Sequence, residues 1–344
     1  CRFMCRDECL ALRMIASCQN GLRAVAEESG RQLVEIDRVD GRVSARSQDR
    51  GALAAVYVDG EDVLVGQHDA GRILVGRLDD AGGATVAGLP LPAPVSCCAA
   101  GAPVFGLATG LVVRVEGRGP DARAVPLFHA DAEVEGVEAV DAEGLVLAVD
   151  RSGTLTVLDR HGIGRVRVTG WGRRLKAVRF ARVGEARLAL CAGKDHRLHA
   201  VDLDDLARGA WEVAGSDVAQ RTFNDLLVDG DRVYAASWDR RIHRLVLASP
   251  DRVAEVLPPL VGHVHAVERM LSVDGALVSV SYDGTLRGWP AGAEAGWSLS
   301  LSPLAVRRVA RSPLPGHVVT AGYDGVVREV DLSTRTVTRT WRVA

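Results

Sequence analysis

GHVHAVERMLSVDGALVSVSYDGTLRGW, residues 262–289, is the stretch that decides the fold. After Gly262-His263, apolar and polar residues alternate up to Val273-Asp274-Gly275. They alternate again from Ala276 to Ser281, and resume past Asp283-Gly284 to Leu286 and Trp289. Successive side chains on a strand point to opposite faces, so a period of two describes a half-buried strand. Asp-Gly supplies the left-handed residues that a tight reversal between strands requires. The stretch therefore predicts strand, turn, strand, turn, strand.

The same unit recurs on both sides of it. The first apolar residue after each second turn falls at Leu33, Ile73, Val112, Leu155, Leu198, Ile242, Leu286 and Val327, with successive spacings of 40, 39, 43, 43, 44, 44 and 41 residues. A period in the low forties with four strands per unit is the spacing of β-propeller blades. One four-stranded sheet cannot bury both of its faces, whereas a ring of sheets packs face to face and leaves only short edges. The predicted fold is all-β, a β-propeller of eight four-stranded blades. Its repeats one to eight cover about 9–48, 51–92, 94–130, 134–171, 174–218, 222–262, 264–303 and 305–344, a single domain behind an N-terminal extension of residues 1–8. No strand exchange between the ends is legible. A seven-bladed ring with an extra hairpin is the alternative if the first 48 residues do not form a blade.

Gly262-His263, the Ser281-Tyr282-Asp283-Gly284-Thr285 turn and Trp289 resemble the WD-repeat family, although Pro290 stands where that family ends its third strand in Asp. The resemblance implies a buried hydrogen-bonded network through His263, Asp283 and Trp289. It also implies a role in holding other proteins on the narrow face, where the second-to-third-strand turns lie. Other third-strand endings, Glu35-Ile36-Asp37 before Gly41 and Val330-Asp331 before Thr334, equally resemble the pyrroloquinoline-quinone-type propeller repeat.

Composition narrows the function classes. Forty-two basic against 44 acidic residues give a net charge of −2, which disfavours nucleic acid or an anionic membrane as the main partner. No run of 18 apolar residues exists, and CRFMCRDECL is too charged for a signal peptide, so the expected address is the cytoplasm of a bacterial cell. Arginine outnumbers lysine heavily, a bias that GC-rich coding explains. Seven cysteines, four of them at Cys1, Cys5, Cys9 and Cys18, do not make a disulfide framework. A helix would put Cys1, Cys5 and Cys9 on one face, as a metal site requires, but their spacing matches no metal pattern and small core residues are the simpler account.

Cys97-Cys98 is a vicinal pair of the kind some quinone-dependent dehydrogenases set beside their cofactor. Burial in the first strand of repeat three explains it more simply. No ligand-spaced histidine group, nucleophile triad or phosphate loop has the context its chemistry needs, so neither enzyme activity nor a cofactor or metal is expected. The runner-up is a quinoprotein-like or metal-dependent enzyme using the central channel.

The residue before the turn Asp is His68, Lys194, Trp238, Tyr282 and Tyr323 in repeats two, five, six, seven and eight. Three aromatics thus fall on consecutive repeats of a chain that is only 4% aromatic. Aromatic residues and arginine anchor protein interfaces, so these positions with Arg240 and Arg241 form the expected site for a protein or peptide partner. The alternative is that they pack locally over neighbouring turns.

Overall fold

A computed structural model describes the backbone of residues 11–18, 21–28, 32–36 and 43–47. It also describes the chain from residue 53 onward, except 60–61, 68–70, 78–86, 119–120, 160–164, 169–172, 206–209, 214–218, 248–254, 292–294 and 343–344. Two compact units separate at Gly51. In the first, Ala11–Cys18, Gly21–Glu28, Gln32–Ile36 and Val43–Ser47 form one antiparallel sheet in chain order.

The second unit, Ala52–Val343, contains seven four-stranded antiparallel sheets, each built from four consecutive strands. The first strand of each sheet lies against the first strand of the next, from Leu53–Asp59 through Val95–Cys98, Val134–Val140, Leu175–Val183, Phe223–Asp229 and Val267–Val273 to Val306–Arg311. Val306–Arg311 then meets Leu53–Asp59 and closes the ring.

The expected eight-bladed ring is therefore corrected to seven blades, formed by repeats two to eight. Repeat one does fold as four strands, but in the separate unit, so the propeller begins at Ala52 rather than near residue 9. No strand is exchanged at closure. Side chains close the ring instead, with Leu53, Val56, Val63, Val65 and Leu74 of repeat two packed on Val319, Ala321, Val327 and Trp341 of repeat eight. Burying each large aliphatic chain of such a seam stabilises by about 1.5–3 kcal/mol, which explains why packing alone can hold it.

The turns that begin the third strands are conformationally demanding. Gly284 has φ +76°, and a Cβ there would come within 1.9 Å of the Ser302 carbonyl oxygen, so only glycine fits. The same position in repeats five and six is held by His196 (φ +68°) and Arg240 (φ +74°).

Every innermost strand carries a β-bulge at its start, evident as a register break between Leu53 and Ala55, Val134 and Gly136, Leu175 and Ala177, Phe223 and Asp225, Val267 and Arg269, and Val306 and Arg308. In repeat three the break lies opposite Ser96. A bulge adds one residue and re-aims its side chain. Seven bulges at equivalent positions thus set Ala54, Ser96, Glu135, Lys176, Asn224, Glu268 and Arg307 around the ring of inner strands.

Candidate functional site: the aromatic rim and the charged channel

Equivalent backbone hydrogen bonds fix the turns. The amides of Lys194, Trp238, Tyr282 and Tyr323 donate to the carbonyls of Arg174, Thr222, Ala266 and Ala305, each just ahead of an inner strand, at 2.9 to 3.1 Å. Four side chains thereby leave the ring from the same register. The Asp that follows caps its own turn, since Asp239, Asp283 and Asp324 accept from the amides two residues on, Arg241, Thr285 and Val326, at 3.0–3.1 Å.

Trp238 and Tyr282 lie with ring centroids 5.6 Å apart, and Tyr282 meets Tyr323 edge to face at 6.2 Å. His265, which the sequence reading did not single out, fills the notch between the first two, 6.1 Å from Trp238 and 5.6 Å from Tyr282. Arg307 lies over both tyrosines at 5.5 and 5.3 Å, donates to the Tyr323 hydroxyl at 2.5 Å and is ion-paired with Glu268 at 2.8 Å. The three aromatics thus form one row, but not three equal anchors: Tyr282 is buried, Tyr323 half-buried, and Trp238 36% exposed. Lys194, Arg240 and Arg241 are exposed and enter no ion pair among the described residues, and Lys194 does not join the row. Val261 and Val264, 61% and 70% exposed, adjoin it through the Arg241–Val261 ladder pair and through His265. His68 lies outside the described residues.

Beneath the row, repeat seven carries a polar network. Asp283 bonds His263 Nδ1 at 2.9 Å, His263 Nε2 bonds Ser279 Oγ at 2.8 Å, and Trp289 Nε1 donates to the same oxygen at 2.9 Å. Asp283 also accepts from Val264 N at 3.0 Å and Thr285 Oγ1 at 2.6 Å. Burial disfavours the Asp283 charge, but His263, Thr285 and the Val264 amide outweigh it and hold the carboxyl far below its usual range. Burial lowers the basicity of His263, although Asp283 opposes it.

Repeats five and six solve the same problem differently. Asp239 bonds His243 at 2.8 Å and Asp195 bonds His199, both histidines coming from the third strand four residues on, with Arg328 standing so to Asp324 in repeat eight. In the sequence His199 draws notice only for its spacing of three from His196, which puts the two on opposite faces of a strand, and His243 draws none; the signal for both is the residue after the aligned register: His199, His243, Arg287 and Arg328.

Cys97 and Cys98 sit on the inner strand of repeat three. Cys97 is buried, and burial pushes its thiol up to about 12. Both are free thiols, their Sγ atoms near the carbonyls of Val134 and Val56. Cys1, Cys5 and Cys9 lie outside the described residues, as does the side chain of Cys18. No group of three His, Cys, Asp or Glu among the described residues is arranged to hold a metal ion.

No protein-family model and no curated protein sequence matches the chain. Among solved structures it is similar to the WD40 β-propeller domain of Doa1, at 18% identity and TM-score 0.68 over 83% of this chain and 93% of that one. It is also similar to the computationally designed Ika8 protein, at 17% identity and TM-score 0.61 over 97% of this chain and 96% of that one. These likenesses show the fold, a β-propeller.

Proposed function

We propose that this protein is a non-catalytic scaffold that holds a protein or peptide partner on the propeller face carrying the second-to-third-strand turns of repeats six to eight. The observation that carries the reading is Trp238, a large aromatic left exposed at the end of an otherwise packed row, beside Arg240 and Arg241, which enter no ion pair among the described residues. An indole supplies broad, nearly rigid contact area at small entropic cost, and exposed guanidiniums favour a carboxylate-bearing partner. Arg240 strengthens the reading: a non-glycine residue in the left-handed region costs about 1–2 kcal/mol, and strained residues of this kind cluster at functional sites. Tyr282 and Tyr323 act beneath as a floor stiffened by Arg307.

The test begins with capture from the native host by wild type and by Trp238→Ala, followed by titration of each recovered partner against both. Trp238→Ala should weaken binding by about 1–3 kcal/mol at unchanged melting temperature. Equal affinity of the two proteins for every recovered partner would move the site elsewhere. An absorbance spectrum and metal analysis of the purified chain discriminate the channel-enzyme alternative, which requires a bound chromophore or stoichiometric metal.

A further inference from the structure

Charged side chains of both signs line the ring of inner strands, and two carboxylate oxygens among them, Glu138 Oε2 and Glu268 Oε2, accept no hydrogen bond. Lys176 and Arg179 come from repeat five, Arg269 from repeat seven, and Arg307 and Arg308 from repeat eight. They face the carboxylates of Glu135, Glu138, Asp225 and Glu268. Several of these anions are already committed. Glu135 is ion-paired with Arg174 and Arg151, Asp225 receives Arg179 at 2.6 Å and the Met270 amide at 2.9 Å, and Glu268 receives Arg307 twice through one oxygen. Glu138 has Arg179 at 3.5 Å, and burial raises its carboxyl, which weakens it as a counterion.

Two guanidiniums are left short. Among the described residues the half-buried Arg269 donates only to the carbonyls of Asn224 and Glu268. Arg308 donates to the carbonyls of Arg307 and Ser96, reaches Glu268 Oε1 only at 3.3 Å, and its buried Nε finds no protein acceptor. Its bond to Ser96 crosses from repeat eight past repeat two to repeat three, on the small-residue side of the ring where Ala54, Ala55 and Ser96 replace the long charged chains. Burial first, then Arg269 and Arg307, lowers Arg308 to about 10, as expected for a cation lacking a full counter-charge. Cys98 does not supply one: Arg308, Arg269 and Arg179 all act on its thiol, yet burial keeps it protonated.

We propose that Arg269 and Arg308 hold a small oxyanion in the channel of the ring, on the side lined by Ser96 and Cys98. Arg308 is buried with one long ion pair, to Glu268, and an unpartnered Nε, and a phosphate, sulfate or carboxylate matches the planar fork of guanidinium donors in a bidentate way. Two neighbouring guanidiniums suit an anion of inorganic-phosphate or acetate size. This site is separate from the aromatic rim and does not depend on its reading.

The test is thermal unfolding of the full chain in phosphate, sulfate, acetate and chloride at matched ionic strength. An anion that binds only the folded state raises the melting temperature progressively with its concentration. At least one of the three oxyanions should raise it above chloride, and which one responds sets the tetrahedral or planar preference. Arg308→Met and Arg269→Met should each shift the concentration needed for half the effect upward at least tenfold, while Arg241→Met on the rim leaves it unchanged. Should both channel variants fail to fold, binding of the oxyanion that raised the melting temperature is measured on wild type by isothermal titration calorimetry. It should saturate at one anion per chain. Identical melting in all four salts, an undiminished response in Arg308→Met, or no saturable heat from the responding oxyanion each overturns the proposal.

Discussion

His243 Nε2 lies 2.8 Å from Asp239 Oδ2, and His199 stands in the same relation to Asp195 one repeat earlier. Each histidine rises from the third strand to meet the turn aspartate, where repeat seven brings His263 from the connection ahead of its first strand. The common requirement is a nitrogen donor for a half-buried carboxylate, and two routes through the chain satisfy it.

His243→Ala should therefore destabilise the protein by about 1–3 kcal/mol, because it leaves Asp239 Oδ2 with only the longer bond from the Gln220 amide, at 3.3 Å. Urea denaturation checks this. Adding Asp239→Ala to His243→Ala should cost much less than Asp239→Ala does alone, since the two act as a pair.

Trp289 is 3% exposed and anchors Ser279 through its indole nitrogen. Trp289→Ala should cost about 3–5 kcal/mol, and Ser279→Ala about 1–3 kcal/mol because it leaves both His263 Nε2 and Trp289 Nε1 unpaired. Melting curves within experimental error of wild type for both would contradict the network.

Acid should weaken the protein in two stages. His263 is less basic folded than unfolded, so the folded state takes up fewer protons and stability falls as pH drops below about 6.5, the ordinary histidine value. Asp283, Asp239 and Asp195 are held below the ordinary carboxylate value, so their contribution is present above about 4 and is lost as pH falls further. Denaturant midpoints between pH 7 and 3 read both stages, and His263→Gln should flatten the first.

Arg240→Gly relieves a left-handed residue and should raise stability by up to about 1 kcal/mol, while weakening capture of the partner. A variant that is both more stable and equally competent would show that the arginine contributes nothing to binding.

Lys176 is lowered by burial to about 8, with Glu268 and Glu135 limiting the effect. Its folded state releases a proton that the unfolded chain keeps up to about 10.5, so stability should rise from pH 8 to 10.5 by on the order of 3 kcal/mol relative to Lys176→Met. Paired titration of the two proteins by chemical denaturation measures that difference.

The period of two and the Asp-Gly turns are local properties, and with the recurrence near forty residues they determined the strands, the turns between them and the propeller class. Glycine at 284 and aspartate at 239, 283 and 324 act within their own turns, so their roles were legible there too. Ring size was not. Repeat one has the same pattern as the others, and whether the sheet of repeat eight closes on repeat two or on repeat one depends on how side chains such as Trp341, Ala321 and Leu53 fit across a seam nearly 300 residues apart in the chain. The row of Trp238, Tyr282 and Tyr323 could be aligned from the sequence, but its insertion of His265 and Arg307 could not. His265 lies in the connection ahead of the inner strand of repeat seven and Arg307 on the inner strand of repeat eight, and they meet the row only because adjacent blades set equivalent turns side by side. The channel arginines follow the same logic: Arg269 and Arg308 each come directly after a bulge residue and read in sequence like any other strand residue, and only the closed ring brings the two strands that carry them together.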